Sequence, residues 1–116
     1  MSCCGENAVK TETYDVSYIF PVDYSVTGFI ARIRISESEG DAILLQVADT
    51  PNPNGSYTLC SGNVVRIVIT VPDLVLLPNG DPISDPWVGV FEVDLIDTIG
   101  YTTRLDHGAF VLEKGV

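Results

Sequence analysis

The chain has 116 residues, 46% of them hydrophobic, with 6 basic against 16 acidic side chains and a formal net charge of -10 at pH 7. That length fits one domain able to bury a core without disulfide or metal staples, and that hydrophobic content argues against wholesale disorder. The charge argues against nucleic acid and against anionic membranes, because phosphate contacts need clustered Lys and Arg.

Residues 1–11 are polar and read as a short flexible N-terminal arm, with one β-domain expected over 12–116. The start, MSCCGENAVK, has no apolar core and reads as no secretory signal. From Thr13 the dominant period is two, the strand period. Tyr14, Val16, Tyr18 and Phe20 alternate with Thr13, Asp15, Ser17 and Ile19, and Pro21 closes that strand. Gly28 opens the next. Phe29, Ala31, Ile33 and Ile35 share one face; Ile30, Arg32 and Arg34 share the other.

A charged turn, SESEGD, leads to a third strand over Ala42–Ala48 that is apolar on both faces. The Pro- and Gly-rich loop DTPNPNGS follows, with Asn54-Gly55 as its turn signal. Tyr57–Cys60 is a short strand, and Ser61-Gly62-Asn63 turns it back into VVRIVITV. There Val65, Ile67, Ile69 and Val71 face one way, and Val64, Arg66, Val68 and Thr70 the other. Asp73–Pro86 is a long connection with room for one helical turn, since Pro78, Pro82 and Pro86 forbid a long helix. WVGVFEVDLI sets Trp87, Gly89, Phe91, Val93 and Leu95 against Val88, Val90, Glu92, Asp94 and Ile96. A turn at Thr98–Gly100 returns the chain through YTTRLD, and HGAFVLE makes the last strand. About eight strands with turns every 8–12 residues and no long helix predict an all-β, antiparallel, immunoglobulin-like β-sandwich of about 7–9 strands.

Side chains able to do chemistry are sparse. No apolar run nears the roughly 20 residues of a membrane helix. Cys3 and Cys4 are adjacent, so a bridge between them would be strained, and an odd count with Cys60 gives no disulfide framework. They read as free thiols made in a reducing compartment. The Cys pair also lacks the hydrophobic segment that precedes a lipoprotein acceptor. Three cysteines and His107 lack C-x-x-C spacing, so no metal site is expected. His107, the only histidine, reads as a surface turn residue beside Asp106, because no serine elbow or cysteine context accompanies it. Glu92 and Asp94 read as cross-strand partners of Arg32 and Arg34 if those strands pair. NGDPISD lacks the spacing of a calcium loop, the glycines form no phosphate cradle, and the aromatics fall mostly on inward positions. No catalytic residue and no cofactor are expected.

Three segments carry a resemblance: DYSVTGFIARIRIS, GNVVRIVITVP and WVGVFEVDLIDTIGYTTRLDHGAFVLEKGV. The first pairs Thr-Gly and an aromatic with an alternating run holding arginine. The second is a β-branched strand closed by proline, and the third a hairpin that turns at a glycine and passes an Arg-Leu pair. Over Tyr14–Val116 the chain resembles small tailed-bacteriophage virion proteins with an immunoglobulin-like β-sandwich, found alone or at the N-terminus of baseplate, tail or head-fibre proteins. It departs from them where Phe20-Pro21 ends the first strand early, in the extra prolines of 73–86, and in the Cys3-Cys4 arm.

The resemblance implies a non-enzymatic structural or adaptor protein, assembled in the host cytoplasm into the virion. Head decoration or fibre anchor, neck, and tail or baseplate are the expected places. Its partners would be capsid, portal, neck or tail subunits and further copies of itself, each weak contact multiplied by avidity. Arg32 and Arg34, with Cys3 and Cys4 on the arm, are the candidate interface residues. The alternative is a stand-alone β-sandwich binding module of carbohydrate or adhesion type, which would present an exposed aromatic or calcium–oxygen cluster in one loop region.

Overall fold

The period-two pattern resolves into two sheets. A computed structural model describes residues 5–115. In chain order the elements are β1 (Gly5–Val9), β2 (Tyr14–Ile19), β3 (Ile30–Ser36), β4 (Ile43–Val47), β5 (Tyr57–Ser61), β6 (Val64–Ile69), α1 (Val71–Leu74), β7 (Trp87–Ile96) and β8 (Thr102–Glu113). A five-stranded sheet runs β1-β8-β7-β3-β4 and a three-stranded sheet runs β2-β6-β5. The strand pairs are antiparallel except β1 with β8, which is parallel. The molecule is all-β, and its two sheets share one core.

The alternation read from the sequence decides which side chains meet there. Ala31, Ile33 and Ile35 of β3 and Phe91, Val93 and Leu95 of β7 are buried against Val65, Ile67 and Ile69 of β6. Phe110 of β8 is fully buried, with Tyr14 edge-on at 5.7 Å and Phe91 at 6.4 Å between ring centroids. Burying each such large side chain is worth about 1.5–3 kcal/mol, so this layer dominates stability. Gly89 is fixed by packing. A Cβ there would fall 2.3 Å from the Trp87 ring and 2.6 Å from the Ser36 carbonyl oxygen.

The long connection does contain a helical turn, placed at its very start. Pro72 stands in the first turn of α1, where its missing N–H costs nothing. Leu74 then drops into the core and Asp73 is buried beside it.

Two expectations are corrected. Residues 5–9, expected as part of a flexible arm, form β1 along the edge strand β8, with Gly5 opposite Ala109 and Val9 opposite Glu113. The polar side chains that suggested an arm have partners inside the fold. Tyr14 Oη donates to Glu6 Oε1 at 2.8 Å, and Lys10 Nζ donates to the Leu77 carbonyl and to Asn79 Oδ1, both at 2.8 Å. Secondly, YTTRLD and HGAFVLE are one continuous strand, and His107 lies within it, not in a turn. Val93 pairs with Asp106 but Asp94 with Arg104, so Leu105 is an extra residue, a β-bulge. The bulge shifts the alternation by one. Asp106 therefore faces inward and His107 outward, which hides the strand's continuity from a period-two reading.

Candidate functional site

The arginines lie on the outer face of the five-stranded sheet, as the alternation requires. β3 and β7 pair without a register shift, which sets Arg32 opposite Asp94 and Arg34 opposite Glu92. Arg32 Nη2 donates to Asp94 Oδ2 at 3.1 Å, and Arg34 Nη2 reaches the same oxygen at 3.0 Å. Arg34 Nη2 also lies 3.0 Å from Glu92 Oε1, whose other oxygen meets Arg104 Nη2 of β8 at 3.4 Å. Three of the six basic residues thus gather on two carboxylates. Asp94 is only 2% exposed, because the two guanidinium groups and the sheet cover it. The Nε atoms of Arg32 and Arg34 are buried without a hydrogen-bond partner. Their side chains stay about a quarter exposed but spend Nη2 on Asp94 and Glu92, so neither is a ready anchor for a ligand.

Beside this cluster a shallow groove of about 220 Å³ opens between the 37–42 turn and β8. Arg34, Glu39, Ile43, Glu92, Arg104 and His107 are among its lining residues. His107 pairs with Glu92 in register, whereas the Asp106 side chain points the other way into the molecule. There Asp106 Oδ2 accepts from Tyr18 Oη at 3.3 Å and its Oδ1 accepts from the His107 backbone N–H at 2.9 Å. Neighbours on a strand face opposite ways, so Asp106 does not orient the imidazole. Burial, and then the carboxylates, push the Tyr14 and Tyr18 hydroxyls far above their ordinary pKa. These two tyrosines stay neutral donors tying β2 to the facing sheet.

Cys3 and Cys4 lie outside the described residues. Cys60 sits half-buried on β5, where burial pushes its thiol up. Among the described residues no three His, Cys, Asp or Glu side chains converge as metal ligands, and no helix is long and apolar enough to cross a membrane.

Sequence reasoning missed two features. The first is the Asp73 corner. Asp73 is 3% exposed and accepts from Asn52 Nδ2 at 2.7 Å, from Asn54 Nδ2 at 2.8 Å and, at very short range, from Ser56 Oγ. Burial alone would raise its carboxyl, but the donors of Asn54, Ser56 and Asn52 outweigh that and hold it below the usual carboxylate range. This clamp stitches the 49–56 loop to α1.

The second is an apolar end, made by the β2–β3 loop and the β7–β8 turn. Val22 is 97% exposed and Ile99 78%, with Ile19 and Tyr101 nearly as open. Gly28 lies against Thr98, which brings the two loops together. The loop is well fastened beneath these side chains: Val26 is fully buried, its N–H donates to the Gly62 carbonyl at 2.6 Å, and Gly62 N–H donates to Thr27 Oγ1 at 2.7 Å. Tyr24 stacks on Phe20 at 5.3 Å and meets Phe29 edge-on at 6.4 Å. Runs of bulky apolar residues beside Pro21 and Gly100 were its only sequence signal.

No protein-family model matches the chain, and no curated protein matches it at a significant level.

Proposed function

We propose that the protein is a non-enzymatic structural or adaptor component of a bacteriophage particle, acting by docking many copies onto other virion subunits. In this reading the two sheets are an immunoglobulin-like sandwich used as a rigid block. The observation that carries the docking part is the apolar end. Ile19 at the end of β2, Val22 in the β2–β3 loop, and Ile99 and Tyr101 at the β7–β8 turn are each largely exposed, at the end where Gly28 meets Thr98, in a chain whose net charge is -10. Several large exposed apolar side chains at one end of an ordered frame mark a candidate contact surface. The virion part rests on the three segments that resemble the phage family.

The ion-paired face is a poorer docking surface than the apolar end. Arg32 and Arg34 are already engaged by Asp94 and Glu92, so a partner would have to compete with cross-strand pairs.

A second reading is a stand-alone binding module, favoured by the Phe20–Tyr24–Phe29 ring cluster, since Tyr24 is 45% exposed in it. One experiment separates the two. Tagged protein is added to phage particles lacking it, and the particles are sedimented. Saturable co-sedimentation, lost on Val22→Asp with Ile99→Asp, is expected. A monomer that ignores particles and binds a glycan tightly through Tyr24 would overturn the first reading in favour of the second.

A further inference from the structure

The two sheets have four edge strands, β1 and β4 in one and β2 and β5 in the other. Open edges carry unpaired backbone donors and acceptors, and natural proteins shield them with charge, proline or a covering segment. Three of the four are shielded. β1 carries Glu6. β2 carries Asp15, held in a two-point pair by Arg66 at 3.0 and 2.6 Å, and Pro21 follows shortly after its end at Ile19. β5 is engaged on its open side, where Thr58 N–H donates to the Ala48 carbonyl at 2.8 Å and Thr58 Oγ1 to the Ala31 carbonyl at 2.7 Å.

Among the described residues β4, ILLQV, has no charge, no proline and no covering segment; its only edge feature is the bulge that leaves Leu44 as an extra residue. Ile43 is 46% and Leu44 45% exposed, and Gln46 is exposed too. Among the described residues no strand lies on its far side, and no backbone bond outside the ladder uses Ile43–Val47. Charge enters only at its two ends. Glu37, Glu39 and Asp41 precede it and Asp49 follows it.

That arrangement selects an occupant. A second copy pairing antiparallel through β4 would set the Asp41 end of one strand against the Asp49 end of the other, acid against acid in a chain of net charge -10. A strand with an uncharged, β-branched middle and basic residues at both ends meets no such conflict. We infer that β4 is a docking edge for strand addition, and that its partner is an extended segment of another protein flanked on both sides by Lys or Arg. Main-chain bonds supply the affinity and the acidic ends fix the register. The inference rests on the docking reading above only in taking the chain to act through protein contacts.

The test uses the whole protein and a synthetic peptide, Lys-Thr-Val-Thr-Val-Thr-Lys, beside a twin with Glu at both ends. Backbone amides are followed by hydrogen exchange. The basic-ended peptide is expected to slow exchange of the β4 amides that face away from β3 roughly tenfold, and the acid-ended twin to leave them unchanged. Leu44→Lys, at an exposed position, is expected to abolish the protection while core amides such as that of Val93 exchange as before. Glu39→Lys with Asp41→Lys, in a turn outside any ladder, is expected to weaken the preference for basic ends. Protection on β2 or β5, no protection at all, equal binding of both peptides, or peptide-independent protection that grows with protein concentration would each overturn the inference. The last outcome would assign the edge to a second copy. Particle co-sedimentation unaffected by Leu44→Lys, without peptide protection, would sink the edge and leave the docking reading standing. Peptide protection without co-sedimentation would do the reverse.

Discussion

The Asp73 corner and the Val22 end lie at opposite ends of β6, and the chain handles them in opposite ways. At the corner, α1 drives a carboxylate out of water, and three side-chain donors from the 49–56 loop converge on it. Polar groups are inside and satisfied. At the other end the loop closes through Val26, Thr27 and Gly62, and the bulky apolar side chains point outward. An unsatisfied polar group inside is costly wherever it occurs, whereas apolar surface outside is harmless until a partner or an aggregate finds it. The corner therefore reads as serving the fold, and the open end as serving contact.

The sharpest way to break that contrast is Asp73→Ala. It removes a charged acceptor and strands the donors of Asn52, Asn54 and fully buried Ser56, so unfolding in urea should show a loss of about 3 kcal/mol. Asp73→Asn adds the pH test. The folded-state pKa is depressed, so the stabilisation from ionised Asp73 is complete above the unfolded value of about 3.9 and is lost as pH falls through the folded pKa. The stability gap between wild type and Asp73→Asn should therefore stay constant near neutral pH and narrow only as pH falls below about 4. A gap that stays constant would mean that the carboxylate charge is not what the clamp uses.

Asp94→Ala comes next. It uncovers the outer face of the larger sheet, leaving Arg32 without its partner and Arg34 with Glu92 alone. Asp94 is buried but its guanidinium partners are partly solvated, so the expected loss is about 2 kcal/mol. Asp15→Asn on the other sheet, where Arg66 and Asp15 are both well exposed, should leave the urea midpoint within error of wild type.

These sites also mark how far the sequence could be read. The Arg32–Asp94 and Arg34–Glu92 pairs were legible because β3 and β7 alternate strictly and pair without a bulge, so a face assignment carries across the ladder. The inward turn of Asp106 was not, because Leu105 bulges and one extra residue inverts every later face. β1 was hidden by Glu6 and Lys10, whose partners Tyr14, Leu77 and Asn79 become visible only once the chain is folded. Asp73 looked like an ordinary loop acid, since its donors lie 17 to 21 residues upstream and nothing local announces them. In these three misses, a polar residue had a distant partner, whereas the apolar end was missed for lack of any strong local signal.

The smallest expected effect on the fold is the most informative about the open end. Val22 and Ile99 are almost wholly solvated, so Val22→Asp with Ile99→Asp removes little that the folded state had gained over the unfolded one. The urea midpoint should move by less than about 0.5 kcal/mol equivalent, and the hydrogen-exchange pattern of β6 should be unchanged. Two carboxylates set in an apolar contact would each have to be desolvated on docking, so co-sedimentation with particles should fall by at least roughly tenfold. A double variant that unfolds instead would show that these side chains pack in a way their exposure denies, and the contrast between the two ends would collapse. A variant that folds and still docks would leave the contrast in place but move the contact surface elsewhere, with the uncharged β4 edge the next place to look.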